Sequence, residues 1–416
     1  MKIQGPSRVV ADERPSRAPR DRVKVARIIA RLNVGGPAIQ VCFLHQALRP
    51  QFDTVLITGQ LDEGEGDMSY LLSSSDGVDH LDSLRRPVGL WSDLVSVFRM
   101  IRILRRERPD IVHTHTAKAG TVGRLAALFS RIPVIVHTYH GHIFRGDYFG
   151  PWKTRTFLTI ERILARWTDK LVTVSDSQAR ELAEDFRIAP RNKFEVIHNG
   201  YDLRPFLSGA ERTRLREEWG IGGDQSLVVW AGRLVPVKNV ELLAAVVREA
   251  RQHATLKFVV VGDGSERTKL LGLLAGYDNV RLVGWRSDMP AVWAAADIAL
   301  LTSKNEGTPS ALIEAMASAR PFVATAVGGV QDMIVGTGRT LGPGVQEFDN
   351  GLFVEADPSA MLRALLRLAS SRDDGGLMGN AGRDFVLRRY SQDRLAREMA
   401  DLYSQLTGRM ADVASN

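Results

Sequence analysis

The segment SKNEGTPSALIEAMA, residues 303–317, decides how this chain is read. It follows an apolar run, Ile298–Thr302, that reads as a strand, and it opens a helical stretch, Pro309–Ala319. Thr308 sits where a helix cap belongs, and Pro309 suits a first helical turn. A helix N-terminus offers free N–H groups and a partial positive charge, which suits a phosphate. Glu306 and Glu314 are eight residues apart, one just before the helix and one about two turns inside it. Carboxylates accept hydrogen bonds from sugar hydroxyls. A hexose–diphosphate–ribose ligand would therefore meet a carboxylate at each end. An isolated pair at this spacing is more often an ordinary capped helix with an acidic start. Here strand, glycine, proline and helix all agree.

Working outward, AGRLVPVKN (residues 231–239) repeats that context between a strand, Leu227–Ala231, and a helix, Val237–Ala250. Arg233 and Lys238 bring two cations to the same sheet edge. Arginine grips a diphosphate bidentately and lysine adds a mobile charge. Such cations lower the barrier as charge appears on a leaving diphosphate. Gly232 beside Arg233 implies a close backbone approach.

Both segments belong to one of two similar strand–helix series. The first has strands Lys24–Ala30, Thr54–Thr58, Asp110–His113, Pro133–Thr138, Lys170–Val174 and Phe194–Ile197, closing on the turn His198-Asn199-Gly200. Its helices include a stripe of Trp91, Leu94, Val95, Phe98, Ile101 and Leu104. Ser175 and Asp176 read as a helix cap. The second series continues with Leu256–Val261, Val280–Val283 and Phe322–Thr325, and only Gly338–Asn350 reads as an irregular loop. Alternation of this kind predicts α/β architecture: two doubly wound, Rossmann-like domains with a ligand cleft between them. The expected division is a disordered basic tail at 1–21, a first domain at 22–200, a second at 201–390, and a C-terminal helix and tail at 391–416, the helix packing back toward the first domain.

Composition agrees. The chain has 416 residues, 44% of them apolar and 25% charged, which excludes a mainly disordered or fibrous chain. Every apolar run stops short of the roughly 18–20 residues a membrane helix needs. Net charge is +7, which attracts polyanions without choosing among them. Cys42 is the only cysteine, so no internal disulfide forms and a reducing cytoplasm is the expected location.

GRLVPVKN, the turn VGDG (261–264), GWRSDM (284–289), EGTPSALIEAMA (306–317) and VGGV (327–330) together resemble the C-terminal half of retaining glycosyltransferases of family 4, which have the GT-B fold. Asn33-Val34-Gly35-Gly36-Pro37, HTHTAKAGTVGRLAA (113–127) and VHTYHGHIF (136–144) resemble members that build bacterial surface polysaccharides. The likeness runs from about residue 24 to 408. It implies roles residue by residue. Glu306 would hold donor-sugar hydroxyls, with Gly307 and Thr308 near the diphosphate and Glu314 on the ribose. Arg233 and Lys238 would hold phosphates, and Gly36 would let its backbone approach them. Arg286 would border the base through its main chain. His140, after the fourth strand of the first domain, would stand near the reacting carbon. The implied donor is a nucleotide-sugar, UDP-linked, and the implied acceptor a lipid-linked or growing glycan. Neither a metal nor a cofactor is implied. A departure is Gln331-Asp332, where the family often has Pro-Glu.

Two alternatives remain at this stage. A nucleotide-sugar 2-epimerase would share the fold. A metal-dependent hydrolase would use His113, His115, His137, His140 and His142, although no carboxylate cluster accompanies them. A purely binding module is disfavoured by the two anion-binding segments with His140. Phe157, Ile160, Leu164 and Trp167, opposite Arg155, Arg162 and Arg166, and preceded by Phe144, Tyr148, Phe149 and Trp152, describe a helix able to lie on anionic lipid at the inner face of the cell membrane. Arg99, Arg102 and Arg106 flank another helix. No motif beyond charge points to nucleic acid.

Overall fold

A parallel sheet needs apolar strands covered on both faces, and both halves of the chain meet that need. The computed structural model describes residues 22–409 apart from 34, 63–64, 74–76, 85–88, 142–149 and 210. The basic tail and His142, Phe144, Tyr148 and Phe149 lie outside the described residues.

The first sheet holds β1 (Lys24–Ile29), β2 (Asp53–Thr58), β3 (Val78–His80), β4 (Ile111–His115), β5 (Val134–Tyr139), β6 (Lys170–Thr173) and β7 (Phe194–Val196). Their order is β3-β2-β1-β4-β5-β6-β7, all parallel. The connecting helices are α1 (Gly36–Ala47), α2 (Leu90–Glu107), α3 (Ala117–Phe129), α4 (Pro151–Arg166) and α5 (Asp176–Arg180). Ser175 caps α5, its hydroxyl accepting the Gln178 N–H at 3.2 Å. The short β3 was not legible in the sequence, and it makes the strand before His140 the fifth rather than the fourth.

After α6 (Arg212–Glu218) the second sheet holds β8 (Ser226–Ala231), β9 (Leu256–Val261), β10 (Val280–Gly284), β11 (Ile298–Leu301), β12 (Phe322–Thr325), β13 (Arg339–Gly342), β14 (Val345–Phe348) and β15 (Gly351–Val354). Every residue of β8 and β11 is buried. The order is β10-β9-β8-β11-β12-β15-β14-β13, parallel except for the β13–β14–β15 edge. The expected loop at 338–350 is therefore a hairpin. Val345 and Phe348 face the core, and Gly344 at φ +71° makes its turn. The accompanying helices are α7 (Val240–Glu249), α8 (Arg267–Leu273), α9 (Met289–Ala295), α10 (Ser310–Ala317), α11 (Pro358–Ser370) and α12 (Arg372–Arg389).

The chain then crosses back. The Tyr201 N–H donates to the Tyr390 carbonyl at 2.8 Å, joining the two crossings. The last helix, α13 (Gln392–Thr407), buries Leu395, Met399 and Tyr403 in one cluster with Val25 and Ile111 of the first lobe.

The α2 stripe corrects another expectation. Met100 and Leu104 are buried, whereas Trp91 and Phe98 are 81% and 63% exposed. Residues 97, 100, 101 and 104 form a second apolar stripe with the same helical spacing, and one sheet face can take only one of them. The apolar face expected around α4 is split: Trp167, just past the helix, is exposed, while Leu164 is buried.

One buried ion pair ties α3 to α4. Arg124 Nη2 donates to both oxygens of Glu161 at 2.7 and 2.8 Å, and the Tyr139 hydroxyl adds a third bond at 2.7 Å. Removing one partner strands the other charge in a dry site. Glu161→Ala is expected to cost about 3–5 kcal/mol, read as a lower thermal midpoint. Arg204→Ala, which removes a surface pair with Asp202, is expected to leave that midpoint nearly unchanged.

Candidate active site

In open parallel sheets a ligand sits where the strand order reverses, beyond the carboxyl ends. Those points are β1/β4 in the first lobe and β8/β11 in the second. Gly36 follows β1, Arg233 follows β8 and Glu306 follows β11. Three of the residues singled out in the sequence thus follow strands that flank a reversal point.

In the second lobe the two motif segments are stitched together. Lys238 Nζ donates to Glu306 Oε1 at 2.5 Å, and the Ser303 hydroxyl donates to the same oxygen at 2.5 Å. The Lys238 and Glu306 side chains are only 16% and 11% exposed. Below them the Thr302 hydroxyl donates to the Lys238 carbonyl at 2.9 Å, and the Lys304 N–H to the Val237 carbonyl at 2.8 Å. The VGDG turn packs directly on this layer. A Cβ on Gly262, at φ +134°, would stand 1.9 Å from the Gly232 carbonyl oxygen, so only glycine fits. Arg233 is exposed and has no side-chain partner among the described residues. Arg286 is committed locally. It donates to both Asp288 oxygens at 2.7 and 2.6 Å and to Glu218 at 3.2 Å, and lies over the Trp219 ring.

Two readings of the EGTP segment need correction. Thr308 does not cap α10; Pro309 occupies the cap position, with no side-chain bond. The Thr308 hydroxyl is instead buried without a partner among the described residues. Such an atom costs free energy until something bonds it. Glu314 accepts the Trp293 indole N–H at 3.1 Å. Burial pushes its carboxyl up to about 7, and the indole bond only partly opposes this. Tyr201 lies within electrostatic reach of both Glu306 and Glu314, and its hydroxyl is raised mainly by burial. No sequence signal marked it.

The first lobe closes the site. A Cβ on Gly307 would stand 3.1 Å from the His140 carbonyl oxygen, so the two lobes meet here backbone to backbone. His140 Nε2 lies 3.0 Å from His115 Nδ1. His140 Nδ1 is buried and unpartnered among the described residues. Burial pushes His140 down to about 4, so the ring is neutral at pH 7. His113 is fixed between the Tyr403 hydroxyl and Thr138, both at 2.6 Å, and His137 by Thr114 at 2.8 Å. Among the described residues no group of three His, Cys, Asp or Glu side chains is placed to hold a metal. Gly36 begins α1 with open space where a Cβ would be.

The departure at Gln331-Asp332 has a structural use. Asp332 accepts the Ser177 N–H at 3.2 Å and its hydroxyl at 3.0 Å, a bond between the lobes.

Comparison with known proteins bears on the fold and the family. Residues 34–204 match the model described as Glycosyltransferase Family 4, and residues 225–371 the one described as Glycosyl transferases group 1. The chain is 28% identical over 330 residues to the UDP-Gal:alpha-D-GlcNAc-diphosphoundecaprenol alpha-1,3-galactosyltransferase of Escherichia coli, covering 77% of this chain and 81% of that one. It is 30% identical over 313 residues to the D-inositol 3-phosphate glycosyltransferase of Mycobacterium leprae, covering 70% and 71%. Among solved structures it superposes on sucrose-phosphate synthase from Thermosynechococcus elongatus with a TM-score of 0.77 at 22% identity, covering 93% of this chain and all of that one. Anabaena HepE, solved in complex with UDP, gives 0.74 at 20% identity, covering 92% and 100%. At those identities the structures establish the fold alone. With the sequence relatives they establish the family: this chain is a glycosyltransferase of family 4, built on the GT-B fold.

Proposed function

We propose that the enzyme moves a sugar from a UDP-linked donor to a lipid-linked or growing glycan, with retention of anomeric configuration, in surface-polysaccharide synthesis. The observation that carries this reading is the Lys238–Glu306–Ser303 knot set against His140 across the lobe contact. The UDP-Gal donor of the Escherichia coli galactosyltransferase and the UDP-glucose bound to HepE support the donor class. The former also supports a diphosphate-lipid acceptor.

In the donor complex the Glu306 carboxylate would take hydrogen bonds from sugar hydroxyls. Lys238 would swing toward the diphosphate, joined by the free Arg233. The unpartnered Thr308 hydroxyl and the N–H groups opening α10 would bond its oxygens. As the sugar–phosphate bond lengthens, the sugar becomes oxocarbenium-like and charge grows on the leaving phosphate, where these donors wait. The acceptor hydroxyl would attack from the face the phosphate leaves and pass its proton to that phosphate. Neutral His140, its Nε2 accepting from His115, would offer Nδ1–H to a sugar hydroxyl beside the reacting carbon. Glu314 would hold the ribose.

Location at the inner face of the cell membrane is part of this proposal. Its support is the outer layer of the first lobe, where exposed Trp91, Phe98, Phe129, Trp152, Ile163 and Trp167 lie among the arginines of α2 and α4. Apolar tips with cationic flanks suit an anionic lipid surface.

Glu306→Ala and Lys238→Ala are each expected to lower turnover by about 10²–10⁴-fold with circular dichroism unchanged. Full turnover in both would remove this site, and product analysis with and without acceptor distinguishes transfer from epimerisation. Glu314 gives a proton signature. Its folded pKa lies above the ordinary carboxyl value, so ionising it costs stability as pH rises through about 7. Ribose hydroxyls favour the ionised form, so UDP binding between about pH 5 and 7 should release a proton. Calorimetry in buffers of different ionisation enthalpy should show that release, and Glu314→Gln should abolish it. Vesicles rich in phosphatidylglycerol should carry the protein upward in a flotation gradient, less so at high salt. A protein that stays at the bottom would sink the membrane part alone.

A further inference from the structure

Away from the cleft, a cavity of about 430 Å³ opens where the chain crosses between lobes. Its walls are His198 just past β7, Phe385, Arg388 and Arg389 near the end of α12, and Arg394 and Glu398 on α13. Three guanidiniums and an imidazole converge there against few carboxylates. Arg389 Nη2 pairs with Asp176 at 3.1 Å. Arg394 spends Nη1 on Glu398 at 2.5 Å, and Nη2 on the His198 and Asn199 carbonyls at 2.5 and 3.1 Å.

What is left over points to a ligand. Arg394 Nε and His198 Nε2 are buried with no hydrogen-bond partner among the described residues. The Asp176 carboxylate stands 3.9 Å from His198 Nε2, beyond hydrogen-bonding distance. Arg388 is exposed and unpaired among the described residues. Three arginines against Asp176 and Glu398 leave the cavity net positive. Burial, then the charges of Arg389 and Arg394, push His198 down to about 4, so at pH 7 the ring is neutral and carries one N–H. A buried polar atom without a partner is costly, and two facing one cavity are uncommon in a native fold.

We propose that this hinge cavity is a binding site for a phosphate-class oxyanion, held by Arg388, Arg389 and Arg394 with a further hydrogen bond from the His198 imidazole. Guanidinium groups match such oxygens in charge and in fork geometry. A tetrahedral anion presents acceptors in several directions, as donors from four side chains require; a planar carboxylate presents only two oxygens. The bound anion would touch the segment after β7, α12 and α13 together, and so would span both chain crossings. It would also compete with Asp176, at the start of α5, for Arg389.

Calorimetric titration of inorganic phosphate into the full chain, first saturated with UDP, reads this cavity with the cleft filled. The expected result is one phosphate per chain, bound at least tenfold more weakly by Arg388→Glu. In parallel, phosphate should move the His198 ring resonances in the wild type and not in the variant. Arg388 contacts no described partner, so the variant should fold, and unchanged UDP binding checks this. Equal phosphate binding by variant and wild type would overturn the proposal, as would no uptake by the wild type or complete displacement by UDP. The variant comparison does not depend on what fills the cleft, so a wrong donor assignment would appear separately, as absent UDP binding.

Discussion

Three stretches of backbone meet at the centre of this enzyme, two of them closer than any side chain allows and the third tightly packed. A Cβ on Gly329 would stand 1.8 Å from the Gly307 carbonyl oxygen, and one on Gly307 would stand 3.1 Å from the carbonyl of His140. Glycine at 307 and 329 lets the loop after β11 lie between the loop after β12 and the end of β5. The two lobes then meet main chain to main chain at the point where the chemistry is assigned. Ser177 and Asp332 reinforce the contact a few residues away. The two chain crossings form a second junction between the lobes, joined through Tyr201 and Tyr390.

The same geometry explains why so much was legible in advance. A buried parallel strand is a short apolar run, and β8, β9, β11 and β12 stood out on that ground alone. Motifs placed directly after strands fall at the ligand edge of the sheet, so the sequence already put Lys238 and Glu306 on one edge, where they pair. The failures have equally local causes. β3 is three residues long and only partly buried, leaving little pattern to read. β13 has a mostly exposed face and ends in turn residues. On α2 two apolar stripes of equal spacing compete, and the sequence cannot say which one the sheet accepts. Tyr201 and Asp332 matter through contacts made by folding across more than 150 residues, which no spacing rule encodes.

Charge is distributed between the lobes in opposite ways. In the second lobe Lys238 and Glu306 pair with each other, and Ser303 shares the carboxylate. A donor that supplies both hydroxyls and phosphates can replace that pairing without leaving either charge bare. In the first lobe the groups behind His140 are a string of imidazoles: His115 at 3.0 Å, with the ring of His113 stacked on it at 4.2 Å. Burial first, then the charge of Arg27, holds His113 well below the ordinary imidazole range, and the same two influences act with neighbouring histidines on His115. Arg27 itself is fully buried against Tyr403, whose hydroxyl it bonds at 3.3 Å. A cation fixed at that depth opposes a second one along the string. It therefore keeps His113 and His115 neutral, while burial alone does the same for His140. The last helix supplies Tyr403, so the return of the chain to the first lobe does more than bury apolar area. It completes the chain of polar contacts that runs from Tyr403 through His113 and His115 to His140.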